Sequence, residues 1–329
     1  MKLQVKSLRA IECGPLNDDL IDFTDPKTGE ARPVTLLAGA NGSGKTTALE
    51  LTASLLALVP LAVTPSFRSM QSQGSFASIS TGFGTDDLQI ARGHKAPAIQ
   101  LTPPYLYSDA NDPLRTHERS FVSSSIHQQI GYQESLGEKV YGEPASEDWF
   151  GSVIYFPSIR AIRSVEGQQI ERASTEYRLV HRYAPDAGFV GSLASYLIWL
   201  EYAEQDAFAR ASTVISHVLP DGKSFEIDRK SLSVNIRTKD GAIHDIGLLS
   251  SGEQNIIAIM IELRRRLLPG SIVLIDEIEN SLHPAYQHLL GRALLSLQAE
   301  IPFQLIATSH SPTFLEIFGA ENTILLTEF

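Results

Sequence analysis

Cysteine is nearly absent: Cys13 is the only one in 329 residues, which excludes an internal disulfide framework and any cysteine-rich zinc site. Long apolar runs are missing too. The longest, Leu51 to Val63, is 13 residues long, contains Thr52 and Ser54 and is interrupted by Pro60, well short of the ~20 residues that span a bilayer. The opening MKLQVKSLRA alternates polar and apolar residues and has no signal-peptide core, so a cytoplasmic chain without membrane contact is expected. Positive charge is also scarce. Lys plus Arg is 27 against 38 Asp plus Glu, a net charge of −11, so contact with nucleic acid would need a local basic patch. The sequence shows no internal repeat and no sustained heptad run, which excludes long coiled-coil arms.

What is present is ordinary for a globular chain: 43% hydrophobic residues, 20% charged and a mean hydropathy of −0.03. The length allows about two domains. Leu3 to Ile11, Leu20 to Phe23 and the wholly apolar Val34 to Ala38 read as strands, followed by a glycine-rich turn and a helix over Thr46 to Leu58. From about Pro60 to Ser146 the Gly, Ser and Pro clusters suggest an irregular insertion, with Tyr105, Tyr107, Phe121, Tyr132 and Tyr141 forming a small local core. A strand at Ser152 to Phe156 is stopped by Pro157, and Leu193 to Val218 has the spacing of one long helix. After a strand pair, Phe225 to Asp228 and Leu232 to Ile236, helix Gly252 to Leu267, strand Ile272 to Ile275, helix Pro284 to Leu297 and strand Gln304 to Ala307 alternate. That order predicts an α/β fold with a mixed, mainly parallel central sheet, an antiparallel N-terminal strand region and an inserted helical lobe. Four segments result: 1–60, 61–150, 151–250 and 251–329.

Gly39 to Thr46 fit G-x-x-x-x-G-K-[ST] at every fixed position, between an apolar strand and a helix. The glycines let successive N–H groups of Asn41, Gly42, Ser43 and Gly44 face one anion at the positive end of the helix. Lys45 would reach the β and γ phosphates of ATP, the Thr46 hydroxyl would bind Mg²⁺, and Thr47 lies beside them. Farther on, the strand Ile272 to Ile275 ends in Asp276 and Glu277, two carboxylates at the end of a strand where α/β sheets place ligands. Asp276 would hold the Mg²⁺ shell and Glu277 would polarise the attacking water. Two solvated acids capping a strand would look the same in isolation. The P-loop upstream gives them their meaning.

Leu249 to Gln254 reads LSSGEQ and opens a helix, and Thr308, Ser309 and His310 end another apolar strand. Taken with the P-loop and the Asp276–Glu277 pair, this ordered set resembles ABC-type ATPases, with LSSGEQ as the signature motif and His310 as the switch histidine at the γ phosphate. The turn DEIENSLHP, the opening SLRAIECGPLNDDLIDF and VIYFPSIR resemble in particular the RecF-like and OLD-type (overcoming lysogenization defect) ATPases, a group related to the structural-maintenance-of-chromosomes proteins. The resemblance implies a head-to-tail homodimer in which Lys45 and Glu277 of one copy and Ser250, Ser251, Gly252 and Glu253 of the other enclose each ATP. It implies ATP hydrolysis in phage defence or DNA maintenance. With only Thr313 to Phe329 after the switch region, the nuclease of OLD enzymes is not expected in this chain, so the effector, a nuclease or toxin, would be a separate protein. A transporter's nucleotide-binding subunit and a low-turnover ATP-dependent sensor or scaffold are the alternatives. No glutamine stands at the Q-loop position, where Pro157, Ser158 and Arg160 occupy the turn. Arg160, Arg163, Arg172, Arg178 and Arg182, interleaved with Glu166, Glu171 and Glu176, suggest a solvated helix face with internal ion pairs, or else a nucleic-acid groove. Arg264, Arg265 and Arg266 suit the negative end of the signature helix.

Overall fold

The computed structural model of the protein describes residues 2–59, 70, 72–83, 86–94, 105–109, 118–120, 128, 130–133, 150–160, 162, 177–184, 192–219 and 222–326. Arg163, Arg172, Phe121 and Tyr141 lie outside them. The chain opens with β1 (Leu3–Cys13), β2 (Leu16–Asp22) and β3 (Val34–Gly39), followed by α1 (Lys45–Leu56). Next come β4 (Phe76–Phe83), β5 (Asp86–Gly93), β6 (Tyr105–Asp109), β7 (Glu118–Ser120), β8 (Val153–Phe156) and β9 (Val180–Arg182). Two helices, α2 (Leu193–Ala203) and α3 (Gln205–Val218), precede β10 (Ser224–Asp228), β11 (Ser233–Arg237) and β12 (Ile243–Asp245). The last part holds α4 (Ser251–Arg266), β13 (Ser271–Ile275), α5 (Pro284–Glu300), β14 (Phe303–Ser309), α6 (Pro312–Phe318) and β15 (Thr323–Leu326).

Strands β15-β3-β14-β13-β8-β9 form a six-stranded sheet in which every pairing is parallel. A parallel sheet is covered on both faces, and β13 shows it: all five of its residues are buried. Ile272 and Leu274 point into a core shared with α1 and the N-terminal strands, whereas Val273 and Ile275 point into one built by α2 to α6. The period of two along the strand divides the molecule into two cores.

The expected antiparallel N-terminal region is larger than the sequence suggests. Residues 76–83 and 86–93, inside the stretch read as irregular, form the antiparallel β4–β5 pair and join the six-stranded sheet β2-β1-β4-β5-β6-β7. Phe76, Ile79 and Phe83 are buried there despite the serine-rich sequence between them. Tyr107 is buried with Phe76 and Ala91, as a local core requires, but Tyr132 is exposed. Gln304 of β14 joins the two sheets. Val5 donates its N–H to Gln304 Oε1 at 2.8 Å, and Gln304 Nε2 donates to Val5 O at 2.9 Å, where a register shift between Val5 and Ser7 interrupts the β1–β4 ladder. α1 packs between the sheets.

A second correction concerns Leu193 to Val218, which is two helices. The chain turns at Glu204 (φ −139°, ψ 68°), and the break lets α2 pack on β11 and α3 on β10. No helix among the described residues is long and apolar enough to cross a membrane.

Candidate active site

Four adjacent strands of the parallel sheet, β3, β14, β13 and β8, end on one edge, and the P-loop, His310 and the Asp276–Glu277 pair follow β3, β14 and β13. After β3 the P-loop turns into α1. Its N-cap Gly44 has φ 90°, and a Cβ there would lie 2.5 Å from Leu16 Cδ2, so glycine is required by both backbone and space. Lys45 is buried, its ammonium donating to Gly39 O (3.0 Å), Ala40 O (2.6 Å) and Ser43 Oγ (3.3 Å). The lysine therefore folds back over the concave side of the loop. Asn41, Gly42 and Thr46 are exposed, and Thr47 is half-buried behind them.

Thr46 Oγ1 lies 3.0 Å from both carboxylate oxygens of Asp276, which is 2% exposed. Thr308, from the end of β14, donates its hydroxyl to Asp276 Oδ1 at 2.7 Å and accepts the Glu277 N–H at 2.6 Å. The structure thus brings the P-loop and the carboxylate pair together through Thr308, two residues before His310. The oxygen set fits a small hard cation. Thr46 and Asp276 would hold Mg²⁺ together with a nucleotide's phosphates, whose charge the ion would help to neutralise. No cluster of three or more His, Cys, Asp or Glu occurs among the described residues.

Glu277 is half-buried and adopts φ 44°, left-handed backbone for a non-glycine residue, and Ser281 does the same at φ 61°. His310 is exposed at the end of β14, and its N–H donates to Glu279 Oε1 at 2.5 Å. Glu279 and Thr308 therefore join the switch residue to the carboxylate loop.

Arg160 is placed against both expectations for the arginine-rich segment. It is 2% exposed rather than on a solvated helix or a groove, and its guanidinium donates to Pro157 O (2.8 Å), Asp276 O (2.5 Å) and Glu277 O (2.8 Å). Burial lowers its pKa to about 10, against the pull of Asp276, Glu277 and Glu279, so it stays charged at neutral pH. Arg182 lies in a strand, stacked over Tyr155 and 3.7 Å from Glu50. Arg178 falls in the described residues just before that strand. Of the three arginines at the end of α4, Arg264 pairs with Glu300, while Arg265 and Arg266 pair with the buried Glu262. Packing and ion pairing account for them more fully than the helix dipole.

Ser250 caps α4: its hydroxyl accepts the Glu253 N–H, and the Glu253 carboxylate accepts the Ser250 N–H, a reciprocal capping box. Lys223 pairs with the same carboxylate. Burial opposes the charge on Glu253, but Lys223 and Ser250 outweigh it and hold the carboxyl below its usual range. Glu253, one of the predicted nucleotide-binding residues, is thus engaged within its own chain. Ser251 is exposed, and Gly252 packs against the post-strand loop, where a Cβ would lie 2.6 Å from Ser281 O.

A family model described as "AAA domain, putative AbiEii toxin, Type IV TA system" matches residues 148–316, just over half of the chain, from β8 through the carboxylate pair and His310. The chain belongs to this family. The AAA-domain protein is 33% identical over 119 residues to the Retron Ec83 probable ATPase of Escherichia coli, a match covering 33% of this chain and 21% of that protein. It is 35% identical over 101 residues to the Retron Vc95 probable ATPase of Vibrio cholerae, covering 27% and 19%. The match thus spans about a fifth of the length of these curated relatives. Among solved structures, an SmcHead bound to the C-winged helix domain of ScpA aligns with 95% of this chain and 91% of that one, at 12% identity and a TM-score of 0.53. The fold is that of an SMC head domain.

Proposed function

We propose that the protein hydrolyses ATP between two head-to-tail copies of itself and uses that cycle to control a separate effector, a nuclease or toxin, in defence against phage. The observation that carries the reading is the Thr46–Asp276–Thr308–Glu277 cluster beside Lys45: a phosphate cradle, a hard-cation oxygen pair and a carboxylate beyond them. The retron ATPase relatives and the toxin–antitoxin description of the family support defence over DNA maintenance.

In this reading the N–H groups of Asn41 to Gly44 and the start of α1 face the β and γ phosphates, and Lys45 exchanges its carbonyl partners for phosphate oxygens. Thr46 and Asp276 would hold Mg²⁺, which neutralises phosphate charge when bound. Glu277 accepts a proton from the water that attacks the γ phosphorus while the bond to the bridging oxygen breaks, giving ADP and phosphate. His310 donates toward the γ phosphate. The α4 N-terminus of the second copy, with Ser250 and Gly252, closes the other side of the nucleotide.

Glu277→Gln keeps the shape and removes the base. Turnover should fall by about 10²-fold or more, in the range of general-base loss, and an ATP-bound dimer should accumulate in size exclusion with light scattering. Turnover at the wild-type rate, or a monomer in ATP, would overturn the reading.

A further inference from the structure

The left-handed backbone at Glu277 is strained for a non-glycine residue and persists only where its surroundings fix it. Two groups do so from opposite sides. On the β14 side, Thr308 accepts the Glu277 N–H, and Ile278 N donates to Thr308 O at 3.0 Å. On the β8 side, one guanidinium spans two successive carbonyls, Arg160 Nη1 to Asp276 O and Nη2 to Glu277 O. Arg160 Nη1 is also tied to Pro157 O, which closes its own turn. The same turn holds the next part of the carboxylate loop, since Asn280 Nδ2 donates to Ser158 O at 2.8 Å. The two nitrogens of the planar fork hold the two carbonyls from separate, fixed positions, a geometry that the single ammonium of a lysine does not reproduce.

Burying a guanidinium is costly, and Arg160 Nε has no hydrogen-bond partner among the described residues. Simple packing of this turn would be served by an apolar side chain. We propose that Arg160 is a positioning residue for ATP hydrolysis, holding the backbone of Asp276 and Glu277 so that the Glu277 carboxylate faces the attacking water. It occupies the turn after β8 where no glutamine is available, and it acts through peptide oxygens without touching nucleotide. This assignment rests on the hydrolytic reading above.

The test is a mutant cycle on the full chain: Arg160→Lys and Arg160→Gln, each made with Glu277 and with Glu277→Gln, read as single-turnover ATP hydrolysis and as affinity for a non-hydrolysable ATP analogue. With Glu277 present, both substitutions should lower the hydrolysis rate by about 30-fold or more and leave the analogue's Kd within about threefold. Lysine should recover only a small part. With Glu277→Gln, the same substitutions should change the residual rate less than about twofold, because the group being positioned is gone. Asn280→Ala, which loosens the turn without removing a buried charge, should show the same dependence on Glu277 with a smaller loss, and it serves where the Arg160 variants do not fold. Equal losses in both backgrounds, or wild-type rates for Arg160→Lys or Asn280→Ala, would overturn the role of Arg160 while leaving the ATPase intact. A wild-type chain without turnover would overturn both.

Discussion

Thr46 and Asp276 are 230 positions apart in sequence, yet the threonine hydroxyl lies 3.0 Å from each oxygen of the carboxylate. They follow β3 and β13, which are not neighbours, because β14 runs between them. β14 contributes Thr308, whose hydroxyl reaches the same carboxylate from the middle strand. Three adjacent strand ends thus deliver three oxygen groups to one point. The strand order explains how residues from opposite ends of the chain meet at one point.

Thr46→Ala removes one of those oxygens and leaves the P-loop backbone unchanged. We expect kcat/KM for ATP to fall about 10²-fold, equivalent to about 3 kcal/mol of transition-state stabilisation, with Thr46→Ser retaining most of the activity through its hydroxyl. The measurement is steady-state phosphate release across a Mg²⁺ titration. The alanine variant should need more Mg²⁺ for half-maximal rate. An unchanged Mg²⁺ dependence would place the cation elsewhere.

At the start of α4 two substitutions separate cap from space. Ser250→Ala removes the cap hydroxyl and should cost about 1 kcal/mol in urea unfolding. Gly252→Ala would gain up to about 1 kcal/mol from helix propensity alone. Here the added Cβ would lie 2.6 Å from Ser281 O, backbone that cannot swing aside, so the sign reverses and we expect a net loss of about 1–3 kcal/mol. A stabilised Gly252→Ala would show that the α4 start and the Ser281 loop are not packed as described.

Much of this site is legible in the sequence because its parts are local. Gly39 to Thr46 is a loop whose backbone needs dictate its residues, and Ile272 to Glu277 is an apolar run stopped by two acids. Arg160 is not legible. It stands in a stretch where arginine and glutamate alternate, and only the parallel pairing of β8 with β13 turns it inward under the carboxylates. The β4–β5 pair escaped for another reason. Its residues ASIST do alternate, with Ala77, Ile79 and Thr81 buried and Ser78 and Ser80 half-buried, but Ile79 is the one large apolar residue among them, so the pattern is weak against the Gly- and Ser-rich sequence around it. The break at Glu204 lacks the proline or glycine that usually announces one, since it answers to the separate packing of α2 on β11 and α3 on β10.

Beyond the nucleotide edge, the buried Glu262 pairs with Arg265 and Arg266 and lies 3.9 Å from His181 Nε2. Burial, with Arg266 next, lowers the His181 pKa from 6.5 to about 4, and Arg265 and Arg178 act in the same direction against Glu262. A histidine kept neutral in the fold but free to protonate when unfolded stabilises above its unfolded pKa. That stability is lost as pH falls from 6.5 towards 4. Linkage makes the fold on the order of 1 kcal/mol less stable at pH 5.5 than at pH 7.5 from this residue alone. Urea unfolding of the wild type and His181→Gln at both pH values isolates the effect, since every other titrating group is common to the pair. The wild type should lose on the order of 1 kcal/mol more than the variant over that interval. Equal losses would mean that His181 is solvated, and that Glu262 is balanced by its two arginines without it.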